Sequence, residues 1–150
     1  VPTNWQGQSF AEAFRAHQPE SRDYLVLGHN AWSCQRSVRL GHYLCIRTYH
    51  DGLKDFPPIM LFDVDRDPHQ QHNLAEQHPE LVAHAMLLLA EWEHDMKCVS
   101  DHDTDPTMTV LREGGPFHVR GRAAEYIARL DALGAHAQAD ALRAKHGGPR

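Results

Sequence analysis

The hydrophobic period changes once along this chain, and the change limits what the chain can fold into. Between Tyr24 and Val64, apolar residues alternate with polar ones or fall in short apolar runs, whereas from Leu81 onward they return as Leu81, Ala85, Leu88, Trp92 and Met96, with Leu89 beside them. A period of two distributes side chains to the two faces of a strand, and a spacing of three to four collects them on one side of a helix. The pattern predicts an α+β fold: a small antiparallel sheet of three or four strands packed by a long helix.

Turn chemistry divides the sheet region. An apolar run over 24–27 breaks at Gly28, and strand candidates at 36–40 and 43–49 are separated by Gly41-His42, the two-residue length favoured by tight hairpins. Residues 51–58 are rich in turn formers, and 59–64 supply another short strand. The helix over 79–96 starts at Pro79, which suits a first turn, and its outer side is expected to carry His84, Glu91, Glu93 and Asp95. Before the sheet, SFAEAFRAH offers Ser9 and Glu12 as a capping box, with Phe10 and Phe14 on one face of a helix that Pro19 keeps short. After the long helix, 100–106 turns and 108–111 is expected to extend briefly before Gly114-Gly115-Pro116. Helical spacing then resumes at Ala123, Ile127 and Leu130 and again in AHAQADALRAKHG. The expected organisation is a sheet-plus-helix module over 1–98 followed by a helical C-terminal appendage over 99–150.

Charge and composition narrow the function. An excess of acidic over basic residues, 20 against 15, with scattered arginines, does not build the concentrated cationic field that phosphate binding needs, so no nucleic-acid partner is expected. No window approaches the roughly 18 consecutive apolar residues of a membrane span, and VPTNWQGQSF lacks the basic-then-apolar pattern of a signal peptide. No membrane association is expected, and a cytoplasmic location is favoured. Cys34, Cys45 and Cys98 have no CxxC spacing, and Cys45 sits in an apolar strand as a small core residue. The thirteen histidines are dispersed, with no HExxH or Cys/His framework, so no metal site is assigned to them.

The segment LFDVDRDPHQQHNLA places aspartates at 63, 65 and 67. As a calcium loop counted from Asp63 it would need glycine at its sixth position and glutamate at its twelfth, where Pro68 and Leu74 stand. Nothing marks the aspartates as paired catalytic carboxylates either. The expectation is a strand end, with Phe62 and Val64 toward the core, Asp65 and Asp67 accepting backbone N–H bonds, and Pro68 ending the ladder.

The order of these motifs resembles the C-terminal subdomain of the sulfatase family, in the alkaline-phosphatase-like superfamily. LFDVDRDPHQQHNLAEQHPEL resembles the family's late strand running into Asp-Pro, a polar patch, Asn-Leu-Ala and a helix; QRSVRLGHYLCIRTYHDG resembles its preceding strand pair. The resemblance spans roughly 9–96. It implies a parent polypeptide that hydrolyses sulfate esters, or phosphate or phosphonate esters in related subgroups. In the family, an N-terminal catalytic domain carries a Cys- or Ser-x-Pro/Ala-x-Arg motif converted to formylglycine, together with a divalent cation. Neither motif nor ligand set stands in this sequence, where the cysteines begin CQRSV, CIRTY and CVSDH. The implied partner is thus the N-terminal catalytic domain of the same polypeptide. No catalytic residue and no cofactor are assigned to this chain, and self-association is expected when that neighbour is missing.

By the same resemblance, GHNAWSCQR approaches the catalytic cleft. His29 and Asn30 could hydrogen-bond an anionic or hydroxylated substrate, Trp32 could offer an aromatic surface, and Arg36 a charge. The structural alternative gives Trp32 a core-capping role, Asn30 an Asx-turn, and Arg36 or Arg39 a cross-sheet acidic partner. His50 beside Asp51, and His118 with Arg120, are weaker candidates without an assigned reaction role. A non-enzymatic protein-interaction or assembly domain is the competing function.

Overall fold

The computed structural model describes residues 9–17 and 22–147. Four antiparallel strands, β1 (Leu25–His29), β2 (Cys34–Leu40), β3 (Tyr43–His50) and β4 (Ile59–Asp63), form a meander in sequence order. A short helix, α1 (Ala11–Ala16), precedes the sheet. The long helix α2 (Pro79–Val99) follows it, then α3 (Pro106–Arg112), a 3₁₀ turn (Phe117–Val119), α4 (Ala123–Ala132) and α5 (His136–His146).

The expected α+β architecture is present. Leu40 pairs with Tyr43 across Gly41, whose φ of 55° supplies the left-handed backbone that a primed hairpin turn requires. Val38, Cys45 and Leu61 lie opposite one another in successive strands and meet Ala85 and Leu89 of α2, all five buried. Leu81, Leu88 and Trp92 pack around them, so the helical stripe read from the sequence is the stripe that covers the sheet. Burial pushes the Cys45 thiol up to about 11, as expected of a core cysteine. The face turned away from α2 carries Leu25, Leu27, Leu44, Ile46, Met60 and Phe62, by alternation from the same register.

A second apolar cluster joins Leu53, from the β3–β4 connection, to Val119, Ile127, Ala139 and Leu142. The terminal helices are therefore tied to the sheet side of the molecule. His146 Nε2 lies 3.0 Å from buried Asp51, Lys145 pairs with Asp55, and Asp105 accepts a 2.6 Å bond from Arg36.

Several local expectations are corrected. Gly28 does not end β1, which continues through His29 by pairing Gly28 with Arg36 and His29 with Gln35. Residues 108–111 are helical, because Asp105 accepts the Thr107 N–H at 2.9 Å and Pro106 occupies the first turn of α3. The capping box is not formed: Ser9 Oγ accepts the Ala11 N–H at 3.3 Å, and Glu12 pairs with Arg15 instead. The expected stop at Pro19 lies outside the described residues. At the end of β4, Asp63 rather than Asp65 closes the turn, accepting the N–H groups of Asp65 (3.2 Å) and Arg66 (3.1 Å), while Asp67 accepts that of His72 at 2.8 Å. Asn73 Oδ1 then accepts the Leu61 N–H at 2.9 Å, and the Leu74 N–H donates to Leu61 O at 2.7 Å. The NLA segment thus satisfies part of the edge of β4 before α2 begins.

Candidate functional site

The β1–β2 loop, residues 30–33, is held by side chains from both halves of the chain. His29, the last residue of β1, accepts the Trp32 N–H on Nε2 at 3.1 Å, which leaves the ring proton on Nδ1. Lys54 Nζ donates to Trp32 O at 2.8 Å. Gly52 lies against the same carbonyl so closely that a Cβ would sit 1.9 Å from the oxygen, and its φ is 65°. Only glycine fits there. From the helical side, Asn30 Nδ2 donates to Thr107 Oγ1 at 3.1 Å, and the His118 ring packs against Trp32 at a centroid distance of 5.0 Å. The side-chain amide oxygen of Asn30, Oδ1, is buried without a hydrogen-bond partner among the described residues.

These contacts fix an exposed tryptophan. Trp32 remains 61% exposed with its backbone bonded at both N–H and C=O. His118 is held below its usual range first by burial and then by the neighbouring Lys54 ammonium, against a hydrogen bond to the Ala31 backbone. Its imidazole is accordingly neutral at pH 7.

Arg36 lies elsewhere. It shares the α2-facing side of β2 with Val38 and donates to Glu93 and Asp105 at 2.6 Å each, and to Thr107 Oγ1 at 3.2 Å. Its guanidinium stands 5.5 Å from the centre of the Trp92 ring. In register it faces Arg47, an unfavourable like-charge pair offset by these carboxylates and by Arg47 stacking over Tyr49. Burial raises the Asp105 carboxyl, but the Arg36 and Thr107 hydrogen bonds outweigh it and leave the group below the ordinary carboxylate range. Burial, then the hydrogen bond it donates to Glu93 at 2.7 Å, pushes the Tyr49 hydroxyl up to about 12. Glu93, expected on the solvated side of α2, points inward because it continues the Ala85–Leu89 row by one more step of four. Arg36, Glu93 and Asp105 line a cavity of about 340 Å³ walled by Trp92, Met96 and Pro106.

The four residues singled out in the sequence thus divide. His29 and Trp32 meet at the surface loop, Arg36 sits in the sheet–helix layer, and Asn30 bridges toward it through Thr107. Sequence reasoning missed Gly52, Lys54 and Thr107 as partners of this loop; of these, only Gly52 carried a signal, in the turn-rich 51–58 stretch. His50 and Asp51 do not orient one another: His50 Nδ1 accepts the Gly52 N–H at 3.0 Å, while Asp51 bonds His146 and the Leu53 N–H.

No group of three or more His, Cys, Asp and Glu among the described residues is placed to hold a metal ion. The Cys34 and Cys45 thiols are buried and pushed up by that burial, whereas Cys98 is exposed. No helix among the described residues is long and apolar enough to cross a membrane.

No family model and no curated protein matches this chain. Solved structures do. One is described by the words "Metabolism of multiple glycosaminoglycans by Bacteroides thetaiotaomicron is orchestrated by a versatile core genetic locus (BT33336S-sulf)"; it superposes with a TM-score of 0.50 at 22% identity, over 63% of this chain. The present chain corresponds to 22% of that chain's length. At this identity the likeness is one of fold: the arrangement built here recurs as a minor part of a larger protein.

Proposed function

We propose that residues 1–98 are the C-terminal subdomain of a sulfatase-like hydrolase and that 99–150 are a helical extension docked on it. The parent polypeptide hydrolyses sulfate esters, or phosphate or phosphonate esters. Its upstream catalytic domain brings the formylglycine nucleophile and the divalent cation, for which the residues described here form no donor set. This chain supports that domain and forms one wall of its pocket through the loop carrying His29, Asn30 and Trp32; Arg36 acts from below, holding Thr107 and Asp105 against the loop.

The observation that carries the proposal is the braced, outward-facing Trp32. An indole left in water while its backbone is fixed by His29 and Lys54 and its ring is flanked by His118 contributes little to folding and is prepared for a ligand or a neighbour. Exposed Phe10, Phe14, Leu25 and Leu27 give the partner domain an apolar surface to cover. The motif order of 9–96 and the fold likeness to part of a larger chain agree with this.

Sequencing and assay of the complete reading frame test the proposal. The expected result is an upstream nucleophile motif and turnover of aryl sulfates or phosphate esters by the whole polypeptide, with none by the 150-residue chain alone. A complete frame lacking that motif, or a whole polypeptide without turnover, would instead favour the assembly-domain reading.

A further inference from the structure

Cys34 and Cys45 are buried in the sheet, whereas Cys98 is exposed on the last turn of α2. Four residues earlier on the same face of the helix stands His94, and its Nε2 lies 3.7 Å from Cys98 Sγ. That separation points to a ligand. Zinc binds an imidazole nitrogen at about 2.0–2.1 Å and a thiolate sulfur at about 2.3 Å, and a tetrahedral angle between those bonds sets nitrogen and sulfur about 3.6 Å apart. The helix thus already holds both donors at the bite of one ion. Sulfur with imidazole nitrogen selects zinc and similar thiophilic ions over cations that prefer oxygen. One copy of the chain supplies only two of the four donors a tetrahedral ion takes, since no third His, Cys, Asp or Glu among the described residues joins the pair.

The surroundings of the pair decide what completes it. His84, Leu87, Glu91, His94 and Cys98 are all exposed and follow one another at steps of three and four, along the side of α2 opposite the Ala85–Leu89 row that covers the sheet. That is the spacing along which two helices pack. We propose that His94 and Cys98 are half of a zinc site, completed by the same pair from a second copy of this chain. A twofold axis through the ion then gives two sulfur and two nitrogen donors in a closed tetrahedron. On ligation each Cys98 thiol releases its proton to solvent and each His94 ring binds through the lone pair of neutral Nε2. The metal supplies the association: Leu87, 57% exposed, is the one large apolar side chain in the row, and Glu91 between it and His94 carries a charge that a dry contact would have to bury.

The test titrates the untagged, reduced 150-residue chain, first stripped with a chelator, with Zn²⁺ and with Co²⁺ as its spectroscopic substitute. The expected result is saturation at one metal per two chains, a doubling of the mass in light scattering that a chelator reverses, and a sulfur-to-cobalt charge-transfer band with the strong visible absorption of a tetrahedral ion. The band reports sulfur ligands alone, so binding at the other histidines does not imitate it. Both positions are exposed, so substitutions there leave the fold intact. Cys98→Ala is expected to lose the band and the dimer. His94→Ala is expected to weaken binding at least roughly tenfold, and Cys98→His to keep the zinc-dependent dimer without the sulfur band. No sulfur band, saturation at one metal per chain with no change in mass, or unchanged affinity in His94→Ala overturns the proposal. So does a dimer that survives the chelator and is dispersed by reductant, which would be a Cys98 disulfide.

Discussion

Gly52 and Arg36 show two ways in which a single residue governs the loop. At Gly52 a methyl group would meet the Trp32 carbonyl at 1.9 Å, on a backbone with positive φ. Gly52→Ala is therefore expected to lower stability by about 1–3 kcal/mol and to shift the Trp32 indole resonance, as read by chemical denaturation and NMR. Arg36 neutralises two half-buried carboxylates, and Arg36→Met is expected to cost about 3 kcal/mol because it leaves Glu93 and Asp105 facing each other without a cation. The pH dependence follows from Asp105. A carboxyl whose folded pKa is depressed contributes stability above its unfolded pKa, about 3.9, and loses that contribution as pH falls through the lower folded value. Acid unfolding curves should show this loss in the wild type and a flatter acid limb in Arg36→Met. Arg36 was legible in the sequence as a charge in a strand that needed either a ligand or an acid. Which of the two it meets was not, because its partners come from 57 and 69 residues away.

Among the elements, the sheet and α2 were readable because each carries a clean period: Val38, Cys45 and Leu61 on one side, Ala85 and Leu89 on the other. Leu89→Ala, at the buried centre of α2, is expected to cost about 2–5 kcal/mol in denaturant unfolding; an effect below about 1 kcal/mol would contradict the packing described. The elements misread were those decided by a single side-chain bond or by pairing. The Asp105 cap makes α3 helical where 108–111 were expected to extend, and ladder pairing carries β1 through Gly28. Glu93 was assigned to solvent on its charge alone, although its position falls in the same row as Ala85 and Leu89. The candidate loop was legible in part: Trp32 and His29 could be named as a polar–aromatic turn after a strand, but Lys54 and Thr107 reach it only through the fold.

Over the whole molecule, the contacts that join residues 99–147 to the sheet module include Asp51 with His146, Arg36 with Asp105, and Trp32 with His118. A chain ending near Cys98 would lose all three and uncover Leu53, so it is expected to bind an apolar dye and to associate at micromolar concentration, whereas the 150-residue chain does so less. Equal light scattering and dye binding by the two would contradict the docking of 99–150 on the sheet side. In the complete polypeptide, the braced loop is expected to meet substrate. The most direct measurement is steady-state kinetics of the complete polypeptide with Trp32→Ala against several ring-bearing sulfate esters. The expected result is a fall in kcat/KM of about tenfold carried by KM, with formylglycine content unchanged. An unchanged kcat/KM across those substrates would remove the loop from the pocket.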